Sequence, residues 1–132
     1  MAELSEGIQT ADWRKEKHVP IIECAAAVKA GDWFHVRLTL GQVVAHPNTT
    51  EHHIRWISLY FQPDGEKAPF ETGHFEFSAH GESAKGSNEG PVFTHHEVIT
   101  SLKVLKPGTL FALAFCNIHG LWQSSRHLDL TV

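Results

Sequence analysis

The 132-residue sequence is poor in several residue types. It has two cysteines, one methionine and one tyrosine. Its longest unbroken apolar run, Leu110 to Cys116, is seven residues long, against the roughly 20 that a spanning helix requires, which argues against a membrane protein. The N-terminal stretch MAELSEGIQTADWRKEKH lacks the apolar core of a secretory signal, so a cytoplasmic location is expected. In that compartment two cysteines read as thiols or metal ligands rather than a disulfide. Eleven Lys and Arg against 15 Asp and Glu leave a net charge of −4, without the basic excess of a nucleic-acid binder. What is abundant is histidine. There are 11, as many as Lys and Arg together.

Hydrophobic patterning points to strands. FHVRLTL, 34–40, alternates apolar and polar residues with period two, and HFEFSAH, 74–80, and HLDLTV, 127–132, do the same. HIRWISLYF, 53–61, and LFALAFC, 110–116, are apolar on both faces and rich in the residues strands favour. VPIIECA and EVITSLKVLK complete seven candidates, separated by turn clusters such as HPNTT, QPDGEK and KPGT. No amphipathic helix of three turns and no convincing repeat is present. The expectation is one domain over residues 1–132, an all-β seven-stranded sandwich, with residues 1–11 a flexible or subunit-contacting segment.

The clearest chemical signal is CNIHG, where Cys116 and His119 stand three positions apart at the end of a strand. Alone, such a pair is more often a buried thiol beside a surface histidine. Other turns change that weighting. His46 precedes PNTTEHH, and EKHVP places His18 ahead of another strand. Adjacent side chains in extended chain point to opposite faces, so only one of His52 and His53 is expected to reach a shared ion, and parity does not choose between them. His95 and His96 face the same restriction and are expected to be solvated. His35, His74, His80 and His127 read as surface residues, and Cys24 as a buried thiol.

Up to four imidazoles and a thiolate exceed the four ligands of structural zinc. Blue copper takes two His, one Cys and a weak axial Met, and the only methionine here is Met1. Iron accepts four nitrogens and an axial sulfur with one position open, where a thiolate pushes electron density toward whatever binds opposite.

Together, EKHVP, HPNTTEHHIRW and CNIHGLW, with FSAHGES between them, resemble the superoxide reductases, in particular the one-iron neelaredoxin type related to desulfoferrodoxin. The resemblance runs from about Asp12 to the end, without the N-terminal cysteine module of the two-iron branch. It implies an immunoglobulin-like sandwich and a mononuclear non-haem iron held by His18, His46, His52 and His119 in the equatorial plane and Cys116 axially. It thereby selects His52 and leaves His53 to the opposite face. It further implies that Glu16 closes onto ferric iron at rest and that Lys17 attracts superoxide. The implied reaction is one-electron reduction of superoxide to hydrogen peroxide without oxygen evolution, with rubredoxin or a similar small protein as donor and a homotetramer as the common assembly. Backbone amides of Ile118 and His119 are expected to tune the thiolate. A cupredoxin-like carrier and a zinc-binding immunoglobulin-like module are the alternatives; neither accounts for all three motifs together.

Overall fold

Strict alternation along Gly108–Cys116 buries Leu110, Ala112, Ala114 and Cys116 and turns Thr109, Phe111, Leu113 and Phe115 outward. That strand is central to the larger of two sheets in the computed structural model, which describes residues 2–131. In chain order the strands are β1 (Ile21–Glu23), β2 (Ala27–Lys29), β3 (Trp33–Thr39), β4 (Ile54–Pro63), β5 (Phe70–Glu76), β6 (Glu97–Lys103), β7 (Gly108–Cys116) and β8 (Gly120–Thr131). One sheet has the order β1-β3-β6 and the other β2-β8-β7-β4-β5. A single-turn helix, Leu4–Gly7, precedes them and buries no residue. No helix among the described residues is long and apolar enough to cross a membrane.

The two sheets face each other across Val36 and Leu38 from β3 and Ile57, Leu59, Leu110 and Leu128 from the larger sheet, all fully buried. Withdrawing each such side chain from water contributes roughly 1.5–3 kcal/mol. The expected immunoglobulin-like β-sandwich is therefore the observed architecture, with two departures. VPIIECA holds only the three-residue β1, which pairs with β3; after Cys24–Ala26 the chain crosses to the other sheet, where an additional strand not among the seven expected, β2, runs parallel to the end of β8. Strand β5 ends at Glu76, short of the His80 expected; its last register pair is with Trp56, and the Phe77 amide makes one more bond, to the Arg55 carbonyl at 2.8 Å, before the chain leaves the sheet.

A bulge in β4 sets the parity near the chemistry. Ile54 faces Cys116, whereas Trp56 already faces Phe115, so Arg55 is the extra residue. The inward set on β4 thus passes from the even position 54 to the odd positions 57, 59 and 61, as expected when two residues oppose one.

Candidate metal centre

Three irregular segments converge at one end of the sandwich. The first is a turn shaped by Asp12, whose carboxylate accepts the Arg14 amide at 3.0 Å while its carbonyl accepts the amides of Lys15 and Glu16; it delivers Glu16, Lys17 and His18. The second is the connection from β3 to β4, which carries His46 and His52. Gly41 lets it turn back: its φ is +75°, and a Cβ there would stand 2.7 Å from the His46 amide nitrogen. The third is the three-residue link between β7 and β8, closed by Gly120 at φ +82°, a conformation glycine adopts without steric cost.

The imidazoles of His18, His46, His52 and His119 form a four-membered ring. Taken in that order, neighbouring centroids are 4.8, 4.8, 5.0 and 4.7 Å apart, and His18 and His52 face each other across a 6.2 Å diagonal. Cys116 lies beneath, fully buried, with Sγ 3.8 Å from Nδ1 of His119. One donor atom each from His18, His52, Cys116 and His119 lie within 4.8 Å of one another. His46 completes the ring edge-on to His18 and His52.

The remaining ring nitrogens reveal what the cluster is made for. His18 Nδ1–H donates to Glu16 Oε1 at 2.7 Å, and His46 Nδ1–H donates to the Pro47 carbonyl at 2.6 Å. Both bonds fix the tautomer that leaves Nε2 as a lone pair. Nε2 of His46 and Nε2 of His52 are buried with no hydrogen-bond partner. Buried imidazole nitrogens without partners are costly, and a cation shared among them removes that cost. Burial pushes His46 down to about 3 against a weaker pull from the Pro47 carbonyl. Burial likewise lowers His18 and His52. All three are therefore neutral, and ready to coordinate, near pH 7. The donor set of four imidazoles and one thiolate fits iron.

His119 is supported from behind. Gln9 Nε2–H and Trp122 Nε1–H both donate to its carbonyl, at 2.9 and 3.3 Å. Trp122 also lies nearly parallel to His18, 14° between planes and 4.9 Å between centroids. The His119 amide donates to Cys116 Sγ at 3.4 Å, which is one of the two tuning contacts expected; none is found from Ile118 among the described residues. Lys17 faces the cluster closely enough for its charge to depress His18 and His52. Glu16 is bound to the His18 ring and amide. Burial alone would raise its carboxyl, and the bonds and charge of His18 together hold it below its ordinary value.

Several histidines depart from expectation. His96 is 6% exposed, not solvated, and burial pushes it down to about 4. His80 is 3% exposed, not a surface residue. Both sit where chain leaves regular strand, so period-two reasoning had no phase to apply. His53 is buried away from the donor cluster and stacks on His80. His35, His74, His95 and His127 are exposed. Cys24 is half-buried, and burial raises its thiol. Gln9, Asn48, Asn117 and Trp122 were not singled out by the sequence; only the adjacency of Asn117 to Cys116 offered a signal.

Comparison with known proteins agrees with this geometry. The desulfoferrodoxin family model matches residues 10–125. Neelaredoxin from Megalodesulfovibrio gigas is 62% identical over 122 residues, covering 92% of this chain and 94% of that protein. The superoxide reductase of Pyrococcus furiosus is 47% identical over 126 residues, 96% of this chain and 99% of that one. Among solved structures, the reduced superoxide reductase (neelaredoxin) of Archaeoglobus fulgidus superposes with a TM-score of 0.86 at 49% identity, over 93% of this chain and 98% of that chain. With the family model covering most of its length, the chain belongs to the desulfoferrodoxin family.

Proposed function

We propose that this protein is a superoxide reductase, an oxidoreductase that reduces superoxide to hydrogen peroxide. The observation that carries the reading is the ring of four imidazoles over a buried cysteine, with two Nε2 atoms that have no hydrogen-bond partner among the described residues. We assign His18, His46, His52, His119 and Cys116 as the residues that would hold iron. When bound there, iron supplies one electron to superoxide and is recharged by an external donor. Two protons from solvent complete the balance: superoxide, one electron and two protons give one hydrogen peroxide, with no dioxygen formed.

The chain's own groups divide the remaining work. Lys17 supplies positive potential at the mouth of the site of a protein with net charge −4, so local field rather than net charge governs anion entry. Glu16 holds the His18 tautomer as it stands; we assign it as the sixth ligand in the oxidised resting state, which requires its carboxylate to leave His18 Nδ1. The His119 amide, donating to Cys116 Sγ, draws charge from the thiolate and tempers its donation. Rubredoxin or a comparable small electron donor is the proposed partner, a homotetramer the proposed assembly and the cytoplasm the proposed location, where two unpaired thiols suit the reducing environment.

The test is metal analysis of protein from iron-sufficient cells, followed by superoxide consumption with peroxide and oxygen measured together. One iron per chain and one peroxide per superoxide, without oxygen, is the expected result. Oxygen evolution without added reductant would make the activity a dismutation, and copper or zinc in place of iron would overturn the assignment.

A further inference from the structure

FSAHGES is the one motif that the ligand set leaves unexplained. His80, at its centre, has left strand β5 and lies buried beneath the β3–β4 connection. The ring meets an acceptor at each edge, the Phe77 carbonyl 2.6 Å from Nε2 and Asn48 Oδ1 3.0 Å from Nδ1, and its single N–H donates to one of them; Asn48 Nδ2–H is committed to the Thr94 carbonyl at 2.9 Å. The His80 carbonyl accepts Thr50 Oγ1–H at 2.6 Å, and its amide donates to Glu82 at 2.7 Å. Its ring stacks face to face on His53, 3.5 Å between centroids and 6° between planes. Asn48 and Thr50 lie between His46 and His52 in the chain, and His53 follows them directly.

The contacts continue to the thiolate. The His53 amide donates to Asn117 Oδ1 at 2.8 Å, the Asn117 amide returns to the His53 carbonyl at 3.2 Å, and Asn117 Nδ2–H donates to the Glu51 carbonyl at 2.8 Å. Asn117 follows Cys116 directly. The path from His80 through the His53 stack thus reaches two ligands: His52, which precedes His53, and Cys116, which precedes Asn117.

We infer that His80 is a positioning residue for the metal centre, holding the segment that carries His46 and His52 in register with the Cys116 turn through its stack on His53. A flat, rigid ring is well suited to this role, because it fills the stack on His53 while its N–H anchors one edge of the ring. The inference rests on the ligand assignment above.

The experiment compares His80→Ala, His80→Phe and His80→Gln with the parent in the full chain, using iron and, separately, cobalt(II) as the probe. It reads metal affinity by competition and the energy of the thiolate-to-metal absorption, alongside unfolding of the metal-free protein. Partners that orient ligands typically change affinity 10- to 100-fold. His80→Ala is expected to weaken binding by about tenfold and to shift the absorption band, with His80→Phe, which keeps the stack, falling between it and the parent. The exposed His74→Ala leaves both readouts unchanged. A folded His80→Ala with parental affinity and band overturns the inference, even if its unfolding temperature drops, because a merely structural role would move stability alone. Should His80→Ala not fold, the same two readouts on His80→Phe and His80→Gln decide. Parent protein that takes up cobalt but no iron would fail the functional reading, while the variant-to-parent ratios would still judge His80.

Discussion

His18 Nε2 and His119 Nδ1 stand 3.1 Å apart although 101 residues separate them in the chain. His18 Nδ1 already donates its proton to Glu16, so in the neutral ring Nε2 is a lone pair, and Nδ1 of His119 points at it from the opposite turn. The two rings turn different nitrogens toward one another, Nδ1 from the tight β7–β8 link and Nε2 from the turn before β1.

Replacing Cys116 tests the axial position. Cys116→Ser is expected to leave the sandwich folded, since the side chains differ little in volume, and to yield substoichiometric iron without the thiolate-to-metal absorption. Retention of one iron per chain with an unchanged spectrum would remove Cys116 from the ligand set.

Lys17 should act on encounter rather than on metal loading. Lys17→Ala is expected to keep parental iron content and to slow the second-order reaction with superoxide by about tenfold at low ionic strength. The difference should narrow as salt is added, because exposed charges are screened over about 10 Å at 0.1 M. Pulse radiolysis at two salt concentrations measures both effects, and a Lys17→Ala rate equal to the parental one would end the steering role.

Gly41→Ala should damage the centre from a distance. The new methyl would meet the His46 amide nitrogen at 2.7 Å in a backbone conformation, φ +75°, that L-residues rarely take. The expected cost is about 1–3 kcal/mol of stability, with weakened metal binding because His46 must move. Denaturant unfolding together with iron titration checks both.

Acid should destabilise the metal-free protein through its buried neutral histidines. Burial pushes His96 down to about 4 and His46 to about 3, whereas in the unfolded chain both titrate near an ordinary value of about 6.5. Below that value the unfolded state takes up protons that the folded state refuses, so stability is full above about pH 6.5 and falls progressively toward pH 4. For His96 the loss is on the order of 3 kcal/mol. Denaturant midpoints between about pH 7.5 and 4.5 should trace this slope, and His96→Gln should make it shallower, leaving the part due to His46. The loaded protein should release its metal over the same range, since protonated imidazole cannot coordinate.

Alternation in β3 and at the end of β8, the apolar runs of β4 and β7 and the spacing of turn residues made the sandwich legible in the sequence, because a half-buried strand writes its burial directly into period two. The ligand types were equally legible: EKHVP, HPNTTEHH and CNIH offer imidazoles and a thiolate whatever the chain does between them. Tertiary structure decided the rest. The extra residue at Arg55 reverses the inward phase of β4, so strand parity could not distinguish His52 from His53. Three alanines in a row, Ala25 to Ala27, carry no signal that the chain changes sheets between β1 and β2. The burial of His80 and His96 arises where segments distant in sequence close over one another, and no periodicity precedes them. Which nitrogen each histidine presents depends on where its backbone enters the ring and what bonds its other edge, and those are properties of the assembled loops alone.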